Sequence, residues 1–170
     1  MLSETARYIN LFVKKIGELV SWLIYLLIFI IAIDLSMRYF FSNSLIWAYD
    51  SAYMIYGFAV MMGGAYTGVC GMHIRVDVFY DKFSDRKKAI VNLIYLFVFY
   101  FPLIIVLIWG GVLQFVESWQ FSEISISSPW HHPISPYKAV VPIAFFLLLL
   151  NGITELIENL ELIRYKRKTL

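Results

Sequence analysis

Four apolar stretches, each bounded by charge, organise the chain. Residues 19–33 carry no Asp, Glu, Lys or Arg and separate Glu18 from Asp34; with their flanks they predict a first span over 17–37. No fixed charge lies between Asp50 and Arg75, which predicts a second span over 47–69. The gap from Lys88 to Glu117 predicts a third over 89–113, and the run after Lys138 a fourth over 138–158. A helix needs about 20 mostly apolar residues to cross the hydrocarbon core. Each span is expected to be helical, because an isolated strand leaves its backbone groups unsatisfied in lipid. The expected fold is therefore an all-α integral membrane protein of four transmembrane helices, one domain over residues 1–170.

Charge in the connections sets the expected orientation. Twelve of the fourteen basic residues fall in alternate segments: Arg7, Lys14 and Lys15; Arg75, Lys82, Arg86, Lys87 and Lys88; Arg164, Lys166, Arg167 and Lys168. Arg38 and Lys138 stand alone in the other two. Positive residues stay in the cytoplasm, so both termini are expected there, in a bacterial inner membrane. The basic start and first apolar run suit a signal peptide. No small-x-small cleavage site follows Ile33, however, and the run is long for one, so a retained first span is expected. Within residues 1–16, Leu2, Ala6, Ile9, Phe12, Val13 and Ile16 lie opposite Ser3, Glu4, Arg7, Asn10, Lys14 and Lys15 at helical spacing. That pattern fits a short amphipathic helix in the interface or an extension of the first span.

Composition agrees and narrows the function. The chain is 61% hydrophobic and 15% charged, against about 45–50% and about 25% in soluble domains. A net charge of +2 leaves no electrostatic footprint for nucleic acid. One cysteine, Cys70, cannot form an internal disulfide or a redox pair. His73, His131 and His132 all fall in loops, so no pair can ligate haem at membrane depth, and no acid or Cys cluster completes a metal site. No phosphate loop, HExxH or GxSxG is present. No catalytic, cofactor, metal or substrate residue is expected in this chain.

The remaining signals concern assembly. Asp34 and Arg38, four apart, can pair near a membrane surface; alternatively Asp34 is the coupling acid of a self-sufficient, homodimeric exporter. Trp47 suits an interface anchor and Asp50 a first-turn acid or a partner contact. Gly57, Gly64, Gly68 and Gly71 share one helix face, where small residues allow close helix approach, within this chain or onto another. Pro102 is expected to remove a bond to Val98 and kink the third span, whereas Pro142 is placed in the first turn of the fourth. Glu155, Glu158 and Glu161 recur every three residues at the end of that span, as a solvated face or against a cationic partner.

Two connections carry a resemblance. One reads Gly71-Met-His73-Ile-Arg75-Val-Asp77, then Phe83-Ser84-Asp85-Arg86; the turn before it reads Arg38-Tyr-Phe-Phe-Ser-Asn-Ser-Leu-Ile-Trp47-Ala-Tyr-Asp50. Together with Glu117-Ser-Trp119, Glu123-Ile-Ser125, Pro142 and Asn151-Gly-Ile-Thr-Glu155-Leu, the chain resembles the small, DctQ-like membrane subunit of tripartite ATP-independent periplasmic (TRAP) transporters. Asp50 departs from the usual Glu of that family but keeps the charge. The resemblance implies a large membrane subunit as partner, which holds the sodium and substrate sites and moves by an elevator motion. It also implies a periplasmic substrate-binding protein, uptake of small organic anions (carboxylates or sulfonates), and a static bracing role for this chain. Arg38, Trp47, Asp50, Gly57, Gly64, Gly68, His73, Arg75 and Asp77 are the resulting interface or structural candidates. Glu117 and Glu123, in a 114–137 loop, are the candidates for docking the binding protein.

Overall fold

The computed structural model describes residues 2–70, 85–126 and 129–168. Helix α1 spans Leu2–Phe41, α2 Ala48–Val69, α3 Asp85–Tyr95, α4 Phe101–Gln120 and α5 Ser135–Lys168. A π-helical turn, Leu96–Tyr100, joins α3 to α4. Three stretches, Ala6–Phe41, Lys87–Gln120 and Ser135–Arg164, are long and apolar enough to cross a membrane. Helix α2, 22 residues long, is not among them, because its tyrosines and glycines dilute its apolarity.

Residues 2–16 do not form a separate interfacial helix. They continue α1 as a single helix of 40 residues, about 60 Å at 1.5 Å per residue. The reason lies in packing. Ala6, Val13 and Val20, at i, i+7 and i+14, are buried, and Val13 and Val20 join Met62, Ala65, Ala144 and Leu147 in one core cluster. Ile9, Val13 and Ile16 of that apolar face thus pack into the core with α2 and α5, while Phe12 stays exposed. Lys14 lies 3.9 Å from Glu18, one turn on, across the change from polar to apolar sequence.

Arg7 of α1, Val69 of α2 and Glu161 of α5 line one cavity, so the start of α1 and the ends of α2 and α5 share one end of the bundle, the termini end. At the far end Ser118 of α4 meets Ser135 of α5. Helices α2 and α5 therefore run parallel, both antiparallel to α1 and to the α3–α4 rod. Helix α5 touches every other helical element and is the centre of the bundle. Among the described long helices, α4 packs chiefly on α5 and turns Leu103, Ile105, Val106, Trp109 and Leu113 outward.

Of the two prolines, only Pro142 sits differently from expectation. Pro102 is preceded by a π turn. The turn before it widens, and the Phe101 amide donates to the Leu96 carbonyl five residues back. A π turn is one way a helix absorbs a missing donor. Pro142 is not in a first turn, because α5 begins at Ser135 and the ring lies inside the helix. It is seated against Gly111 of α4, where an added Cβ would stand 3.1 Å from the Pro142 Cδ. A glycine partner thus lets α4 come close to the proline-bearing turn.

Candidate functional site

Three tyrosine rings lie on three glycines, each on a neighbouring helix. Tyr66 of α2 covers Gly17 of α1, Tyr137 of α5 covers Gly57 of α2, and Tyr100 of the π turn covers Gly152 of α5. In each case a Cβ on the glycine would collide with the ring. Apolar side chains gain little from burial against one another in lipid, so close packing and interhelical hydrogen bonds hold helices together there. The Tyr100 hydroxyl donates to the Leu148 carbonyl at 2.7 Å, and the π turn carries this ring. The buried amide of Asn151 donates to the carbonyl of Ala65, tying α5 to α2. Nearer the termini end Asn92 donates to Asn159 at 3.4 Å, and Asn159 to the Glu155 carbonyl at 2.7 Å.

The expected glycine face is accordingly divided. Gly57 is consumed inside the chain by Tyr137, whereas a Cβ at Gly64 would meet nothing within 4 Å. Gly63 is open in the same way. Gly68 lies in the last turn of α2. His73, Arg75, Asp77 and Gly71 lie outside the described residues.

The far end is built from polar ties. Asp34 accepts from Arg38 Nη2 at 2.9 Å through one carboxylate oxygen and from the Leu45 amide at 2.9 Å through the other. It therefore pins the α1–α2 turn as well as its neighbour one helical turn on. Ser42, in the left-handed region at φ 52°, ends α1, and the Asn43 amide returns to the Met37 carbonyl at 3.3 Å. Trp47 precedes α2 and gives it no side-chain cap. Asp50 stands in the first turn of α2 with His132 Nδ1 at 3.9 Å, both side chains nearly buried. The His132 ring packs on Trp130 with centroids 5.0 Å apart.

Residues 114–120 belong to α4, so the expected 114–137 loop is shorter at its start. Beyond α4, Ser122 at φ 47° caps the helix, the Ser125 amide donates to the His132 carbonyl at 2.9 Å, and that of Ile134 donates to the Glu123 carbonyl at 3.0 Å. This hairpin-like loop lies across the start of α2 through His132. Glu117 is exposed in the last turn of α4. Glu123 instead pairs with Lys138 of α5. The Lys138 ammonium, then the Ser118 hydroxyl, holds the Glu123 carboxyl below the ordinary glutamate range. A carboxyl so lowered stabilises the loop at pH values above 4.5, its ordinary value, and that contribution is lost as the pH falls through the lowered one. Protection of the Ser125 and Ile134 amides, taken relative to their intrinsic exchange rate at each pH, is therefore expected to fall on acidification below that point. Glu123→Gln should show the lower protection already at neutral pH.

Among the described residues no group of three or more His, Cys, Asp or Glu side chains is placed to hold a metal ion. The polar groups that the structure does bring together tie helices and loops to one another. The match to known families fits that geometry: residues 9–162 match the model of the tripartite ATP-independent periplasmic transporters, DctQ component.

The chain belongs to the DctQ family.

It matches no curated protein and no solved structure. The DctQ family is that of the small membrane component of TRAP transporters, so this chain is a transporter component whose apolar helices place it in a membrane. Within this DctQ chain the sequence reading missed Tyr66, Tyr100 and Tyr137, because a ring and the glycine beneath it lie on different helices. Asn151 had a legible signal, a carboxamide inside an apolar run, which in lipid seeks an interhelical partner.

Proposed function

We propose that this chain is the non-translocating small subunit of a TRAP transporter. It crosses the inner membrane four times with both termini in the cytoplasm. It braces a large sodium-coupled elevator subunit and helps dock a periplasmic binding protein during uptake of small organic anions. Helix α2, at about 33 Å for 22 residues, is long enough to be the fourth crossing. The described basic residues Arg7, Lys14, Lys15, Lys87, Lys88 and Arg164 stand toward the termini end, which the positive-inside tendency assigns to the cytoplasm.

The observation that carries this reading is the fate of Asp34, the acid embedded next to the first apolar run. Both its oxygens are engaged, by Arg38 and by the Leu45 amide, at the end of the bundle rather than its middle. A coupling carboxylate must exchange partners during transport; this one holds a turn in place. The deeper ties, from Asn151 and Tyr100, likewise join helix to helix. The outward apolar face of α4 leaves room for a large apolar partner.

Liposomes carrying this chain alone are expected to show no flux of small carboxylates or sulfonates under a sodium gradient. Liposomes that also carry the large subunit, supplied with binding protein, should accumulate the substrate. Flux with this chain as the sole protein would sink the proposal. For docking, Glu117 gives the cleaner test, because reversing Glu123 would also break its pair with Lys138. Glu117→Lys should lower uptake several-fold at limiting binding protein while leaving the membrane pair intact. Unaltered uptake would remove Glu117 from the docking surface.

A further inference from the structure

A cavity of about 310 Å³ opens at the termini end between α1 and α5, beside the end of α2. Its two walls carry opposite charge. Arg7, Asn10 and Lys14 line it from α1, and Glu158 and Glu161 line it from α5. Spacings of three, four and seven put each set on one stripe of its helix. A simple anion would be drawn to one wall and repelled by the other, and so would a simple cation. A ligand carrying both charges is attracted by both. Between the two cations lies Asn10, whose Oδ1 is buried with no hydrogen-bond partner among the described residues. An acceptor in that position calls for a hydrogen-bond donor, N–H or O–H, and the facing glutamates favour a cationic one.

Depth selects the ligand further. Lys14 precedes the apolar run beginning at Leu19 by five residues, about 7 Å along the helix. That places Lys14 at the outer edge of the polar headgroup layer, with Arg7 two turns farther toward water. Leu11 supplies an apolar patch in the same cavity. We propose that this cavity binds the headgroup of a phospholipid with a primary amine, its phosphate against Arg7 and Lys14 and its ammonium against Glu158, Glu161 and the Asn10 Oδ1. A primary ammonium offers three N–H donors, whereas a trimethylammonium offers none, so the site discriminates ethanolamine-type from choline-type lipids. The proposal rests on the membrane placement of the chain and not on its bracing role. The lipid would fasten the protruding start of α1 to the end of α5.

The test uses the purified, delipidated full chain in detergent, titrated with dioleoyl phosphatidylethanolamine, phosphatidylcholine or phosphatidylglycerol. Binding is read by native mass spectrometry and by the rise in melting temperature. The ethanolamine lipid should bind about tenfold more tightly than the choline lipid, the scale of one hydrogen bond to a charged group. Paired Glu158→Gln and Glu161→Gln substitutions should erase that preference, and paired Arg7→Gln and Lys14→Gln substitutions should weaken all three lipids. Equal binding of the three lipids, or a preference that survives loss of both glutamates, would overturn the proposal. Equally tight binding of water-soluble phosphoethanolamine would assign the site to a soluble zwitterion and overturn the lipid assignment. A photoreactive residue at Leu11 in whole membranes should label lipid, and labelling of the large subunit instead would assign the cavity to that partner. None of these outcomes depends on transport, so failure here leaves the subunit assignment standing.

Discussion

Gly152→Leu is expected to destabilise the folded chain by about 3 kcal/mol, the upper range for forcing extra atoms into a packed interior. The Tyr100 ring occupies the space a side chain would need, with Phe101 close behind it, and Tyr100 is held in turn by its bond to Leu148. Neither neighbour can yield freely. The ring stands on the π turn that precedes Pro102, and among the described long helices α4 leans chiefly on α5. Detachment of α4 is the expected consequence. Thermal melting of the purified chain measures it, with Gly110→Leu as the control, since Gly110 has open space above it. Combining Gly152→Ala with Tyr100→Leu should recover part of the lost stability, because the collision is chiefly with the tyrosine ring. Equal melting of Gly152→Leu and the parent chain would show that the α4–α5 seat is not held by this contact.

Gly64→Leu is expected to behave in the opposite way. The isolated chain should melt as the parent does, because a Cβ there meets nothing. Recovery of the large subunit with the tagged chain should fall about tenfold, which corresponds to 1.4 kcal/mol of association free energy. The contrast between the two glycines separates packing within the chain from packing onto a partner. Gly57→Leu belongs with Gly152→Leu, since Tyr137 already fills its seat. Undiminished recovery of the large subunit from Gly64→Leu would move the inter-subunit contact to another face, with the outward side of α4 as the first place to look.

The acid–base pairs show how far local spacing reaches. Asp34 and Arg38 stand four apart on one helix, and their pairing follows from the helical repeat. The second bond of Asp34, to the Leu45 amide, depends on how the chain turns back after Ser42. Glu123 and Lys138 are fifteen residues apart, and nothing in their spacing announces a pair. The loop's return from α4 to α5 brings them together and turns a docking candidate into an internal tie, leaving Glu117 as the exposed acid.

What the sequence settled by itself were properties additive along the chain. Runs of apolar residues between charges set where the long helices lie, and motif order over most of the length carried the family. These depend on transfer to lipid and on backbone hydrogen bonding, which each segment satisfies alone. Three matters were decided only by the tertiary structure: that residues 2–16 extend α1, that Gly57 is filled while Gly64 is open, and that Pro102 is absorbed by a π turn. Each turns on which side chain a neighbouring helix presents at one height. In a bilayer, where burying one apolar surface against another releases little water, that choice rests on shape and hydrogen bonding between distant residues.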